Sequence, residues 1–385
     1  MVDLQALQNT FRERYGTEPR LFSAPGRANL IGEHTDYNAG FVLPIAANLR
    51  TYVAAGARND HSFRVYSCNL QDEVKFQLGP LETKQRGWFN YVYGVSQVLK
   101  DAGHDLKGAD VVIASEVPRG AGLSSSAALE VSFGFALLQL NAREIDPLEL
   151  AQAAQSAEHS FVGTKSGLMD QLTAIFAKAD HALLIDCRSL EITAIPLRMN
   201  DLAVVICDSK VKHELATSAY NQRRAECEQA VELLGQKKPG INSLRDLTAV
   251  DLDLIETLPE PMRRRARHVI TENERTLLAA EAIKVENFQF LGELMMQSHR
   301  SLRDDYDVSC QELDLLVELA SAHEAVLGSR MMGGGFGGCT VNLVRLAGLK
   351  EFQNWLTLDY RRTTGLSPEV YVIHADSGVR EHQTV

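Results

Sequence analysis

Apolar residues recur at helical spacing over residues 3–15 and again over Trp88–Lys100, whereas Thr51–Arg58 and Ser62–Tyr66 carry strand-like patterning. Between the first helix and those strands, Leu21 to Pro25 enters a Gly-rich polar stretch from Gly26 to Gly40, which interrupts the pattern as a functional loop. Asp110–Val117 is predicted as a strand ending at Pro118. Directly after it, Arg119-Gly-Ala-Gly-Leu-Ser-Ser-Ser-Ala-Ala leads into an apolar, helix-forming run from Ser125 to Leu140, so the order is strand, Gly/Ser loop, helix. A further helix over Leu148–Phe161 breaks at Gly163–Gly167, and another runs from Leu168 to Lys178 with Asp170 in its first turn.

Ala182–Cys187 and Leu202–Asp208 read as strands. Helical spacing then dominates Glu214–Leu234, Pro261–Lys284, Phe288–Arg303 and Gln311–Val326, and Thr340–Arg345 and Glu369–His374 supply late strands. The second half thus mixes helices with an antiparallel sheet, and the change of pattern near residue 190 divides the chain into 1–190 and 191–385. There is no internal repeat and no low-complexity tract.

A chain of 385 residues exceeds a single core of roughly 100–200 residues, and two packed domains create a cleft. With 45% hydrophobic and 23% charged residues, the composition is that of a globular protein with a sizeable core. Lys and Arg number 39 against 50 Asp and Glu, and the net charge of −11 repels phosphate backbones and anionic lipid, which argues against nucleic-acid and membrane partners. An acidic chain that handled a nucleotide would need local positive charge or a metal ion at the phosphates. Six cysteines are scattered without a C-x-x-C pair, as expected for reduced, buried thiols. Met1–Arg20 lacks the basic-then-apolar pattern of a secretory signal, and no apolar run approaches the roughly 20 residues of a membrane span, so a cytoplasmic location is expected.

Gly120–Ser126 is the strongest chemical signal. Glycines let the backbone approach an anion, a helix N-terminus offers unpaired N–H groups, and Ser124, Ser125 and Ser126 add hydroxyls for phosphate or Mg²⁺. Taken alone, the loop also fits an ordinary N-cap with excess serine. It is not the common phosphate-binding loop, because G-x-x-x-x-G-K-[ST] is absent. Gly333–Gly338 satisfies G-x-G-x-x-G but precedes the β-like Cys339–Val344, so it reads as a tight turn lining a cleft, or a glycine hinge before a strand, rather than a dinucleotide fingerprint. In Gly26-Arg-Ala-Asn-Leu-Ile-Gly-Glu-His-Thr-Asp-Tyr, the concentration of Arg27, Glu33, His34 and Asp36 suits the hydroxyls of a sugar. A metal site and a solvated turn remain open for that segment alone.

Together these loops resemble the galactokinase family, within the superfamily that also holds homoserine, mevalonate and phosphomevalonate kinases. Gly26 to Tyr37 resembles the signature that separates galactokinases from the other members, Gly120-Ala-Gly-Leu-Ser-Ser-Ser-Ala-Ala the ATP loop, and Gly333-Gly-Gly-Phe-Gly-Gly-Cys the third motif. Similarity extends to Gly167-Leu-Met-Asp-Gln and Ala219-Tyr-Asn-Gln-Arg-Arg, so it spans nearly the whole chain. The resemblance implies an α+β, two-domain fold, with a ribosomal-protein-S5-domain-2-like N-terminal domain, a ferredoxin-like C-terminal domain and the active site in the cleft between them. It implies a monomer that phosphorylates galactose at the anomeric hydroxyl, with ATP as co-substrate and Mg²⁺.

By motif match, Gly120, Ala121, Gly122, Leu123, Ser124, Ser125 and Ser126 would hold the phosphates, Ser67 would line the nucleotide pocket, and Ser126 and Glu158 would bind the metal. Without the resemblance, Glu158 reads as an exposed helix carboxylate. Glu33, His34, Thr35, Asp36, Gly167, Asp170 and Tyr220 would surround the sugar. The family match further implies Asp170 as catalytic base and Arg27 as stabiliser of the transferring phosphoryl group. A non-catalytic galactose and ATP sensor, or a kinase for N-acetylgalactosamine or arabinose, are the alternatives.

Overall fold

The protein was analysed as a computed structural model, which describes residues 2–80, 87–144, 146–212 and 216–383. Among these residues the first strands are β1 (Arg20–Asn29), β2 (Phe41–Val42), β3 (Pro44–Ala57), β4 (Ser62–Ser67), β5 (Asp72–Gln77) and β6 (Ala109–Ser115). They are followed by β7 (His181–Asp186), β8 (Glu191–Pro196), β9 (Leu202–Lys212), β10 (Val326–Met332), β11 (Gly337–Arg345), β12 (Glu369–Ile373) and β13 (Arg380–His382). The helices are α1 (Leu4–Tyr15), α2 (Phe89–Asp101), α3 (Ser125–Leu140), α4 (Pro147–Ala157), α5 (Met169–Phe176) and α6 (Ala216–Lys237). The remainder are α7 (Leu252–Ile255), α8 (Met262–Lys284), α9 (Phe288–Asp304), α10 (Gln311–Ala322) and α11 (Leu349–Thr364).

The first half is built on a six-stranded sheet of order β13-β1-β3-β6-β4-β5. Strand β4 alternates inward and outward residues, and its Phe63 and Val65 pack with Phe22, Val53 and Val111 under α2, α3 and α4, where Leu99, Phe133 and Leu150 complete the layer. Burying each such side chain contributes about 1.5–3 kcal/mol. Helix α1 covers the opposite face through Leu7 and Phe11. Helix α3 is apolar on nearly every side because it is enclosed by α2, α4 and the sheet, which fixes the Gly/Ser loop at its start.

The second half carries a four-stranded antiparallel sheet of order β10-β11-β9-β12. With helices between β9 and β10 and between β11 and β12, this is the split βαββαβ arrangement of a ferredoxin-like domain. Helices α10 and α11 cover its outer face through Leu316, Phe352 and Leu356. On its inner face Val204, Ile206 and Val341 join one continuous core with Ala28, Leu30 and Ile45 of the first half.

Three details differ from the patterning. Strand β1 continues through Pro25 and Gly26 to Asn29, with a bulge between Pro25 and Arg27, so Arg27 stands on a strand rather than in a loop. The helix predicted to reach Val326 ends at Ala322, because Val326 is drawn into pairing with Val344. Residue 190 falls in the turn joining β7 and β8, so that hairpin straddles the expected division, and β13 brings the chain's end back to the first sheet.

Candidate active site

Three glycine-bearing segments meet at backbone distance. A Cβ on Gly26 would lie 2.6 Å from the carbonyl oxygen of Leu123, and the neighbouring Arg27 N–H donates to that same oxygen at 3.1 Å. Gly122 (φ +71°) and Gly333 (φ +81°) pack on each other, a Cβ on Gly333 coming within 3.3 Å of Gly122 Cα. Only glycine allows both the close approach and the left-handed backbone, which is why distant motifs can share one wall.

That wall borders a cavity of about 340 Å³ lined by Arg27, Glu33, His34, Asp36, Glu158, Asp170 and Tyr220, together with Gly120 and Gly122 to Ser126. A second cavity of about 940 Å³ adjoins it, shares Tyr91, Gly120, Ser125 and Ser126 with the first, and includes Ser67 and Trp88. Of the residues expected at the site, three line neither cavity. Thr35 is enclosed, its hydroxyl donating to the Gly32 and Phe41 carbonyls at 2.9 and 2.6 Å, so it shapes the loop. Ala121 is fully buried, and Gly167 serves as the floor beneath Asp36, whose carboxylate leaves no room for a Cβ.

Asp170 sits in the first turn of α5, where the helix dipole favours a carboxylate. Arg27 Nε donates to Asp170 Oδ1 at 2.8 Å, and the Ser124 hydroxyl donates to the other oxygen. Arg27 also donates from Nη1 to the Gly122 carbonyl. Burial works against the Arg27 charge, but the carboxylates of Asp170, Glu33 and Asp36 hold its pKa above the ordinary arginine value. Burial, reinforced by Asp170, pushes the Asp36 carboxyl up to about 7.

The polar loop after β1 is anchored largely by the second half of the chain. Glu33 Oε1 accepts the Gly333 N–H at 2.8 Å and lies 3.2 Å from Arg330 Nη2, while the Glu33 carbonyl accepts from His268 Nε2 at 3.1 Å. Gly32 N–H donates to Glu272 Oε1 at 3.0 Å. His34, at φ +61°, donates from Nε2 to the Gly334 carbonyl at 3.2 Å, which leaves Nδ1 to accept from the Tyr37 hydroxyl at 2.7 Å. Tyr37 meets Tyr306 at 2.8 Å, and Tyr306 meets Cys227 Sγ at 3.1 Å. Burial and the neighbouring His268 hold the His34 pKa at about 3, so the imidazole is neutral and its tautomer is set by the Gly334 carbonyl.

At the start of α3 the first intrahelical bond is Ala128 N–H to Ser124 O, at 3.1 Å. The N–H groups of Ser125, Ser126 and Ala127 therefore precede it, an arrangement of backbone donors with the geometry of an anion cradle. Ser124 holds a left-handed backbone (φ +56°), which turns its hydroxyl toward Asp170 instead of capping the helix. Glu158 is buried, not exposed: α4 ends in a wider turn over Glu158–Val162 that swings the carboxylate inward. The Ser166 hydroxyl donates to it at 2.8 Å and Ser126 also bonds to it, yet burial still raises its pKa. Among the described residues no lysine or arginine forms an ion pair with Glu158, so the carboxylate and the Ser126 and Ser166 hydroxyls present oxygen donors of the kind a hard cation takes.

Tyr91, Trp88, Thr164 and Ser166 line the cavities without having been singled out from the sequence. Trp88 and Tyr91 fall at the start of an amphipathic helix, where aromatic residues at helical spacing look like core.

Comparison with known proteins gives a consistent result. Residues 9–57 match the family model of the galactokinase galactose-binding signature, 90–178 the GHMP kinases N terminal domain and 279–354 the GHMP kinases C terminal. The chain is 50% identical over 381 residues to a galactokinase of Roseiflexus sp. (strain RS-1), covering 98% of this chain and 97% of that one. It is 49% identical over 382 residues to a galactokinase of Chloroflexus aurantiacus, with 98% of each covered. Among solved structures, Lactococcus lactis galactokinase complexed with galactose superposes with a TM-score of 0.93 at 37% identity, over 98% of this chain and 99% of that one. Methanococcus jannaschii mevalonate kinase, at 18% identity and a TM-score of 0.65 over 94% and 99% of the two chains, shares the fold.

Proposed function

The chain belongs to the galactokinase family of the GHMP kinases, and on that premise we propose that it transfers the γ-phosphoryl group of ATP to the anomeric C1 hydroxyl of α-D-galactose, yielding α-D-galactose 1-phosphate and ADP. The observation that carries this reading is the position of Asp170, held by Arg27 and Ser124 beside the anion cradle of α3 and facing the smaller of two adjoining cavities. The smaller cavity takes the sugar, bounded by Glu33, His34, Asp36 and Tyr220. The larger one takes the nucleotide, with Trp88 and Tyr91 offering aromatic surface to the base and the shared Ser125 and Ser126 meeting the phosphates.

Phosphoryl transfer demands positioning and charge stabilisation more than covalent chemistry. Asp170 accepts the proton of the attacking hydroxyl, and Arg27 holds that carboxylate in place while its remaining donors face the transferring oxygens. Ser126 and Glu158 would hold Mg²⁺, which supplies charge neutralisation at the phosphate oxygens. Both cavities are lined by one chain, so a monomer suffices, with units close to 1–190 and 191–385; the proposed compartment is the cytoplasm.

The test is Mg²⁺-dependent ADP release with galactose, glucose, N-acetylgalactosamine or no sugar, followed by phosphorus NMR of the product. Galactose-dependent release with phosphate at the anomeric carbon supports the reading. Release with another sugar moves the substrate assignment, and binding of both ligands without release makes the protein a sensor.

A further inference from the structure

Strand β9 ends irregularly. Its register with β11 shifts between Cys339 and Gly337, and Lys210 within that shift holds φ at +61°, a conformation a lysine adopts only when its surroundings impose it. Asp208 imposes it: one carboxylate oxygen accepts the Lys210 N–H at 2.9 Å and the other accepts from the ammonium, also at 2.9 Å. The Asp208 side chain is only 8% exposed, so this anchor is fixed.

The ammonium has a second carboxylate partner, Glu369 on β12, at 2.8 Å. Glu369 is 56% exposed, and an ion pair that open to water is weak and readily exchanged. Lys210, Asp208 and Glu369 all line the larger cavity, together with Ser67, Arg119, Gly120, Ser125 and Ser126. Burial works against the Lys210 charge, but the two carboxylates hold its pKa above the ordinary lysine value, so the group is a cation.

We propose that Lys210 is a contact of the second half of the chain to the nucleotide's phosphates, kept aimed by Asp208 and parked on Glu369 until the nucleotide arrives. An ammonium carries three donors, so Lys210 keeps Asp208 while it exchanges Glu369 for a phosphate oxygen. The arrangement gives an acidic protein a cation in the cavity proposed for its anionic co-substrate, and Glu369 becomes a competitor that tempers affinity. This rests on the larger cavity being the nucleotide site.

The test combines steady-state kinetics with equilibrium binding of ATP, ADP and adenosine to the full chain. Lys210→Met is expected to weaken ATP and ADP about five- to tenfold, raising KM for ATP more than it lowers kcat, while adenosine binding and KM for galactose stay at wild-type values. Lys210→Arg is expected to recover most of the loss. Glu369→Gln is expected to tighten ATP about two- to threefold, and to do nothing when Lys210 is already Met. Unchanged ATP and ADP affinity in Lys210→Met, or an equal loss for adenosine, overturns the assignment. Wild-type protein that turns over galactose while Lys210→Met matches it defeats this inference alone, whereas wild-type protein without nucleotide binding defeats the reading beneath it.

Discussion

Arg27 Nε lies 2.8 Å from Asp170 Oδ1 although 143 residues separate them, and the pair is built by a bulged strand on one side and a helix start on the other. Asp170→Asn keeps the shape of the site but removes the proton acceptor. Turnover is expected to fall by roughly 10²–10⁴-fold, with galactose affinity nearly preserved. ADP release and calorimetric sugar binding measure the two quantities, and substantial residual turnover would exclude the base role.

Arg27→Lys retains a charge but loses the fork that serves Asp170 and the Gly122 carbonyl together. A drop in kcat of about tenfold or more is expected, larger than any change in KM for galactose. Equal kcat for the two enzymes would show that a point charge is enough.

For Glu158, the informative axis is metal concentration. Glu158→Gln keeps the partners Ser126 and Ser166 but removes the charge, so half-maximal activity should require about tenfold more Mg²⁺ or more. A Mg²⁺ titration unchanged from wild type would take Glu158 out of the metal set.

Neither carboxylate oxygen of Glu130 meets a hydrogen-bond partner among the described residues, and burial, aided by repulsion from Glu158 and Asp170, holds its pKa well above the ordinary 4.5. The folded chain binds a proton here that the unfolded chain gives up. Stability from this group is therefore full below the ordinary value and is lost as pH rises toward the folded one. Glu130→Gln should raise Tm by about 2–4 °C near pH ~8 and change it little near pH ~4, as read by thermal unfolding. A gain of equal size at both pH values would show that the charge is not the cause.

Much of the framework is legible in the chain because punctuation and periodicity coincide. The helix predicted to begin at Ser125 does begin there, since the Gly/Ser loop before it and the apolar run after it leave no other boundary. Arg27 was harder to place, because a glycine that reads as a loop marks instead a strand pressed against Leu123. Glu158 was misleading for the opposite reason: its helix looks ordinary until one wider turn rotates the carboxylate inward. Lys210 carried no signal, since its meaning lies in a cross-strand partner, Glu369, far along the chain.

The anchoring of Gly32, Glu33 and His34 by Glu272, His268, Arg330, Gly333 and Gly334 has a consequence for the order in which the protein matures. A nascent chain that has only its first half can form the hydrophobic layer on β1, β3, β6, β4 and β5, and Thr35 and Asn38 can brace the loop internally, but the loop lacks its anchors from Glu272, His268, Arg330, Gly333 and Gly334, and the edge of β1 stays open until β13 arrives. On the proposed assignment of this loop to galactose, sugar recognition is among the last properties acquired, dependent on contacts of very high sequence separation that are slow to close. Chains truncated ahead of Arg330 should bind no galactose by calorimetry even where circular dichroism reports a folded first half. On that assignment the site works as a completion check, because its sugar loop is fully anchored only after Arg330, Gly333 and Gly334 have been made.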